Sequence, residues 1–346
     1  MKKKIAGLDS LRFLLALWVL FSHFGGPPIS DYVGSNNIIS KTAVAFYNNA
    51  FVGVAAVIAF FIISGLVIHL PYRSGRKMNL LEFYSKRYIR IGIPMLLISV
   101  LAYYFNSFGE LPFWSLYAEL IYYTIYPIIL WGMNKINIRI IIMVAFIISY
   151  ILAISMSHDL LHFLNIAVDI QKKYEGNYWQ LGVGLTWLLG LPCWLLGVLL
   201  AENLDNIAKA EISYKNVLFS RLIIIIISIF CSVARFHLHL SYILSLNIFS
   251  IVAYFWISKE IIYYNKHQPS KLFEWAGQWS YSIYICHSLI PIVFALMSIH
   301  QKNGFLFWFY EVSAALIFSY VFYLAIESPS HYLARKVNLT PKKVKI

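Results

Sequence analysis

A bundle of membrane-spanning helices is the fold class this sequence predicts, on three observations. Of the 346 residues, 60% are hydrophobic and 12% charged, against about 45–50% apolar and about 25% charged in a soluble domain. The apolar residues gather into ten continuous stretches, each near the roughly 20 residues that a bilayer-crossing helix needs. The cationic residues concentrate in alternate gaps between those stretches. A chain this apolar can bury a core, which excludes disorder, and continuous runs rather than ten-residue alternations exclude a barrel. The expectation is an all-α integral membrane protein, one domain over residues 1–346, with ten transmembrane helices and no fused soluble domain.

The stretches centre near Val19, Phe60, Leu97, Tyr123, Ala145, Gly190, Ile225, Phe249, Leu289 and Leu316. The first has a basic flank, Lys2-Lys3-Lys4, and runs into Gly25-Gly26-Pro27-Pro28 without an A-x-A site, so it reads as a retained span rather than a cleaved signal. Turn-forming residues punctuate the chain at 71–75, 106–112, 159–177 and 267–270, and the longer outward loops are expected at 25–48 and 157–180. Counted by gap, twenty-two Lys and Arg fall on the side of the termini and five on the other, so the positive-inside rule places both N- and C-termini in the cytoplasm. The net charge of +13 is thereby a topology signal, and nucleic acid is not expected as a partner. Cys193, Cys231 and Cys286 lie inside apolar stretches and read as small core residues.

Ionisable residues at membrane depth are costly and mark sites. Here they are Arg12, His23, Glu119 and His287, with Asp9, His69, Glu311 and Glu327 nearer the span ends. Arg12 and His23 are 11 residues apart, which on a helix is about 20° past three full turns and roughly 16.5 Å of rise. They share one face, Arg12 in the inner third and His23 in the outer third. Counting inward from Phe113 places Glu119 about 9 Å below the outer surface, at the depth of His23. Ser280, Tyr284 and His287, at i, i+4 and i+7, form a polar stripe expected at the depth of Arg12 and Ser64. A histidine beside a carboxylate makes a general base at neutral pH, and an arginine suits an anion or a polarised carbonyl.

The spacing from Arg12 to His23, within Gly7-Leu8-Asp9-Ser10-Leu11-Arg12, resembles the R-x10-H signature of the acyltransferase-3 family of integral-membrane acyltransferases. In the family's order follow Phe60-Phe61-Ile62-Ile63-Ser64-Gly65 (F-F-x-x-S-G), a basic run from Arg87 through Arg90 to Pro94, and Trp114-Ser115-Leu116-Tyr117-Ala118-Glu119 (W-S-L-x-x-E). Ser280-Tyr281-Ser282-Ile283-Tyr284-Ile285-Cys286-His287 resembles the late S-Y-x-x-Y-x-x-H element, and Glu327-Ser328-Pro329 the closing E-x-P. Leu120 stands where many members carry a second acid, and Cys286 and Ser288 flank a histidine that often has a Trp neighbour.

The resemblance implies ten core spans, cytoplasmic termini and transfer of an acyl group, commonly acetyl, from acyl-CoA to a hydroxyl of a surface glycan or lipid-linked saccharide precursor. Under it His23 is the expected base with Glu119 orienting the imidazole, and both are expected catalytic residues. Arg12, Ser64, Arg87, Arg90, Ser280, Tyr284 and His287 are expected substrate-binding residues. Acetyl-CoA or another acyl-CoA is then the donor substrate, with no bound cofactor and no metal motif. Membrane lipids surround the chain in a bacterial inner membrane, and a separate outer-side protein is a possible acyl acceptor. The alternative is a transporter or flippase of a glycan or lipid intermediate using the same buried polar groups. No internal repeat supports that alternative.

Overall fold

The computed structural model describes residues 5–29, 37–105, 113–156, 182–237, 242–297 and 304–337, and every regular element among them is helical. α1 (Leu8–Phe24) begins after Gly7, whose φ of 79° lies in the left-handed region, and stops at Gly25, with φ 76°. The ring of Tyr264 covers Gly7 so closely that a Cβ there would meet it at 2.2 Å. α2 (Ile38–Asn48) is capped by Asn37, whose side chain accepts from the Ser40 N–H at 2.8 Å. α3 (Gly53–His69) follows at an angle of 41° to α2. Asn79 caps α4 (Leu80–Tyr104) in the same manner, accepting from the Glu82 N–H at 3.1 Å. α5 (Phe113–Met133), α6 (Ile138–Met156), α7 (Gly182–Glu202), the short α8 (Leu204–Lys209), α9 (Tyr214–His237) and α10 (Tyr242–Tyr264) complete the first two thirds. α11 (Lys271–Ala276) passes through a 3₁₀ turn into α12 (Ser280–Cys286), and α13 (Leu289–Leu296) follows. α14 (Phe305–Phe322) continues through a π turn (Tyr323–Glu327) into α15 (Ser328–Lys336).

α3 is the centre of the bundle: 13 of its 17 residues are buried, and it packs against α1, α5, α7 and α10. Its contact with α7 is backbone to backbone. A Cβ on Gly65 would meet the Trp194 carbonyl oxygen at 2.0 Å, and one on Gly197 the Ile62 carbonyl oxygen at 2.0 Å. Small residues permit such approach between membrane helices. The periphery is apolar and exposed: on α6, Ile140, Val144, Ile147 and Ile151 form one outward stripe at helical spacing. Such a stripe suits lipid, which returns no penalty for exposed hydrocarbon. The chain is a multi-pass membrane protein.

Each of the ten apolar stretches lies in a helix. Six helices are long and apolar enough to cross a membrane by length and composition, or eight if α2 with α3 and α11–α12 with α13 each form one span. The two stretches that fall short are α1, with 17 residues and both Asp9 and Arg12, and α5, with four tyrosines and Glu119. These are the helices that carry the densest polar load of the site.

Two expectations need correction. The ninth stretch is not one straight helix but bends by 57° between α12 and α13, at His287 and Ser288. Pro291, four residues after His287, accounts for the break: it lacks the N–H that would bond the His287 carbonyl, and its ring crowds that oxygen. The expected loop at 25–48 contains α2. The second expected loop, at 157–180, lies outside the described residues.

Candidate active site

Four helices bring one polar cluster together. Ser64 of α3 donates to Glu119 Oε1 of α5 at 2.6 Å, and the Tyr123 hydroxyl donates to the same oxygen. The hydroxyls of Ser64 and Tyr123 lie 3.2 Å apart, and Trp194 Nε1 of α7 donates to Ser64 Oγ at 3.2 Å. Arg12 of α1 lies at the edge of this cluster. Its nearest acid is Asp9, at 3.9 Å, while its Nε is buried without a hydrogen-bond partner.

Two small cavities meet there. One, of about 60 Å³, is lined by Arg12, Ser64, Ser115, Glu119, Ser280 and Tyr284 among others. The second, of about 50 Å³, shares Arg12, Ser64 and Glu119 and adds Arg87, Arg90 and Tyr123. Arg87 also lines a polar cavity of about 100 Å³ with Arg76, Lys77 and Lys86. Its guanidinium lies 5.7 Å from the Phe83 ring centroid and 6.0 Å from that of Tyr123, a stacked arrangement that favours arginine over lysine. Beyond this, a cleft of about 870 Å³ is lined by Arg73, Arg76, Lys77 and Arg139. That volume falls in the range of pockets that hold small-molecule ligands.

At the opposite end of α1 the rings of His23 and His287 face each other with centroids 4.8 Å apart, tilted by 47°. His23 is exposed, whereas His287 is fully buried. Between the two clusters Ser115 and Tyr284 share a hydrogen bond of 2.5 Å, and Phe60 packs edge-on to the Tyr284 ring.

The expected pairing of Glu119 with His23 does not appear among the described contacts. Glu119 hydrogen-bonds Ser64 and Tyr123 and lines the cavities of Arg12, because the packing of α5 on α3 sets its level and the distance from Phe113 does not. The expected grouping of His287 with Arg12 and Ser64 is corrected too, since His287 lies against His23. Ser64, Arg12, Ser280 and Tyr284 do share a cavity, and Arg87 and Arg90 open into its neighbour. Arg90 also donates from Nε to His331 Nε2 at 2.9 Å. Among the described residues no group of three His, Cys, Asp or Glu side chains is placed to hold a metal ion.

The assembled motifs match one known family over most of the chain. Residues 5–324 fit the acyltransferase-3 family, described as an acyltransferase domain. The chain belongs to this acyltransferase family. No curated protein and no solved structure matches it.

For an acyltransferase the arrangement supplies cations at one end of a polar column, hydroxyl and carboxylate groups along it, and two imidazoles at the other end. Sequence reasoning missed Tyr123, Trp194 and Tyr281, which line or tether the cluster. Tyr123 stands one helical turn after Glu119, so its place on the same face was readable from the spacing. Glu327 opens the E-x-P motif near a span end and had no site role assigned to it. It is 1% exposed, accepts from the N–H of Ser282 at 3.1 Å and from its hydroxyl, and lies 3.5 Å from His331.

Proposed function

We propose that this acyltransferase moves an acetyl or other short acyl group from cytoplasmic acyl-CoA to a hydroxyl of a surface glycan or of its lipid-linked precursor. In this reading the ten helical stretches are ten spans with both termini cytoplasmic, in a bacterial inner membrane. The observation that carries the reading is the position of Arg87. It lines both the polar cavity with Arg76, Lys77 and Lys86 and the embedded cavity with Arg12, Ser64 and Glu119. Phosphates of the donor fit the first, and its acyl-bearing arm fits the second and the column beyond it. Arg12 and His23 are too far apart on α1 to touch one atom, so Arg12 holds the donor and His23 does the chemistry.

His23 takes the proton of the acceptor hydroxyl as its oxygen attacks the thioester carbon. The tetrahedral oxyanion collapses, the carbon–sulfur bond breaks, and the thiolate takes the proton back from the imidazolium. The products are an ester and free CoA, with no net proton change. A positioned base of this kind contributes about 10²–10⁴-fold. The exposure of His23 suits an acceptor arriving at that end.

Three strains test the proposal: one with the wild-type gene, one with a deletion, and one expressing His23→Ala at matched membrane levels. Proton NMR of the surface glycans should show an ester signal in the first alone. Persistence of that signal in all three sinks the reading of a glycan acceptor. Saccharide movement across vesicles without consumption of acyl-CoA would favour the transporter instead.

A further inference from the structure

We infer that His287 is a positioning residue for His23: its Nε2 lone pair receives the N–H of the His23 imidazole, fixing that ring's tautomer and stabilising it once protonated. This rests on the reading of His23 as the base. It gives His287 the part that the sequence assigned to Glu119.

The first support is a missing partner. His287 is fully buried, and its Nε2 is a buried polar atom without a hydrogen bond. Such atoms are rare in folded proteins, and each calls for an explanation. The second support is the tautomer. His287 Nδ1 faces the backbone carbonyl of Ile283 at 3.3 Å. A carbonyl only accepts, so the hydrogen belongs to Nδ1, and Nε2 is left as a bare acceptor.

The third support is what surrounds it. The rings in contact with His287 are Phe24, Tyr284 and His23, with centroids at 6.5, 6.1 and 4.8 Å. Phenylalanine has no donor, and the Tyr284 hydroxyl is held by Ser115 at 2.5 Å. Of these three rings, His23 is the one with a donor to spare. The two rings form no N–H···N bond as they stand, but the terminal ring torsion of histidine is broad. Turning the His23 ring brings one of its nitrogens toward Nε2 and leaves the other with its lone pair free for the acceptor hydroxyl.

The break between α12 and α13 is what makes this contact. Leu289 and Ile290, just past it, are buried, and Ile290 packs in the same cluster as Leu20 of α1. A neutral imidazole in this position also spares the membrane a second buried charge, which a carboxylate would impose.

The test uses membrane vesicles containing the full chain and acetyl-CoA labelled in its acetyl group, and reads base-labile label in endogenous glycan per unit of protein. His287→Leu should lower turnover about ten- to a hundredfold, the span of a hydrogen bond to a charged group. The apparent KM for acetyl-CoA should stay the same. His287→Gln keeps an acceptor oxygen and should recover at least about tenfold of that loss. Transfer by His287→Leu at the wild-type rate overturns the inference, as does a loss expressed in KM, or a Gln variant no better than Leu. If His287→Leu does not accumulate in membranes, His287→Met takes its place against Gln under the same criteria. An active His23→Ala would instead overturn the base itself. An inactive His23→Ala beside an active His287→Leu leaves the base standing and removes only its partner.

Discussion

Ser64 and Glu119 are joined by a 2.6 Å hydrogen bond across the interface of α3 and α5, inside the cavity that Arg12 lines. Glu119 also accepts from the Tyr123 hydroxyl, so Glu119→Gln would replace an oxygen-only acceptor with a group half of which donates. Transfer should fall about ten- to a hundredfold, the range for bonds to charged groups. The apparent KM for acetyl-CoA should rise, because Glu119 lies with Arg12. A fall in turnover with KM unchanged would return Glu119 to the side of His23.

Arg12→Ala and Arg87→Ala should each raise the apparent KM for acetyl-CoA while a saturating donor recovers most of the turnover. Arg87→Lys should recover only part of the affinity, since lysine keeps the charge but not the planar contact with Phe83 and Tyr123. Donor titration in membrane vesicles reads both effects. Unchanged affinity in Arg12→Ala and Arg87→Ala would count against a donor path through this end.

Gly65→Ala and Gly197→Ala should each destabilise the protein by roughly 1–3 kcal/mol, the usual cost of overpacking. The obstructing atoms are backbone carbonyls that cannot swing aside. Gly92→Ala on α4 is the control, because nothing lies within 4 Å of the added carbon. Thermal unfolding in detergent reads the difference. Equal melting of all three variants would mean that α3 and α7 can separate at little cost.

Glu327→Ala should cost about 1–3 kcal/mol by stranding the buried Ser282 N–H. Glu327→Gln keeps one acceptor and should cost less. The same melting assay distinguishes them, and a fully stable Ala variant would show that the link from the π turn to α12 is dispensable.

The fold was legible because apolar run length survives most details of packing: each expected stretch is helical, the ninth in two pieces. The placement of Arg12 with Ser64 was legible because both positions could be counted from helix ends that neighbour each other. Ser22 of α1 lies against Gly53 of α3, so Ser64, 11 residues further on, returns to the level of Arg12 by simple rise. Glu119 escaped that counting. Counting from the start of α5 does not tell which side chain of α3 it meets, and that partner is Ser64 across the interface. His287 escaped it because its helix breaks. Pro291 was the visible signal, yet Pro94, Pro127 and Pro192 sit inside unbroken helices, so proline alone does not locate a break.

The contact between Ser115 and Tyr284, with Phe60 laid against it, sits midway along the polar column. Under the proposed reading, in which a cytoplasmic donor meets an outer acceptor, such an enzyme runs the danger of becoming a leak. Here two hydroxyls bonded to each other, with the Phe60 ring against them, stand between the two clusters. In that reading the donor's own arm would have to part them, so the way between the two ends would open only when filled by the substrate that plugs it.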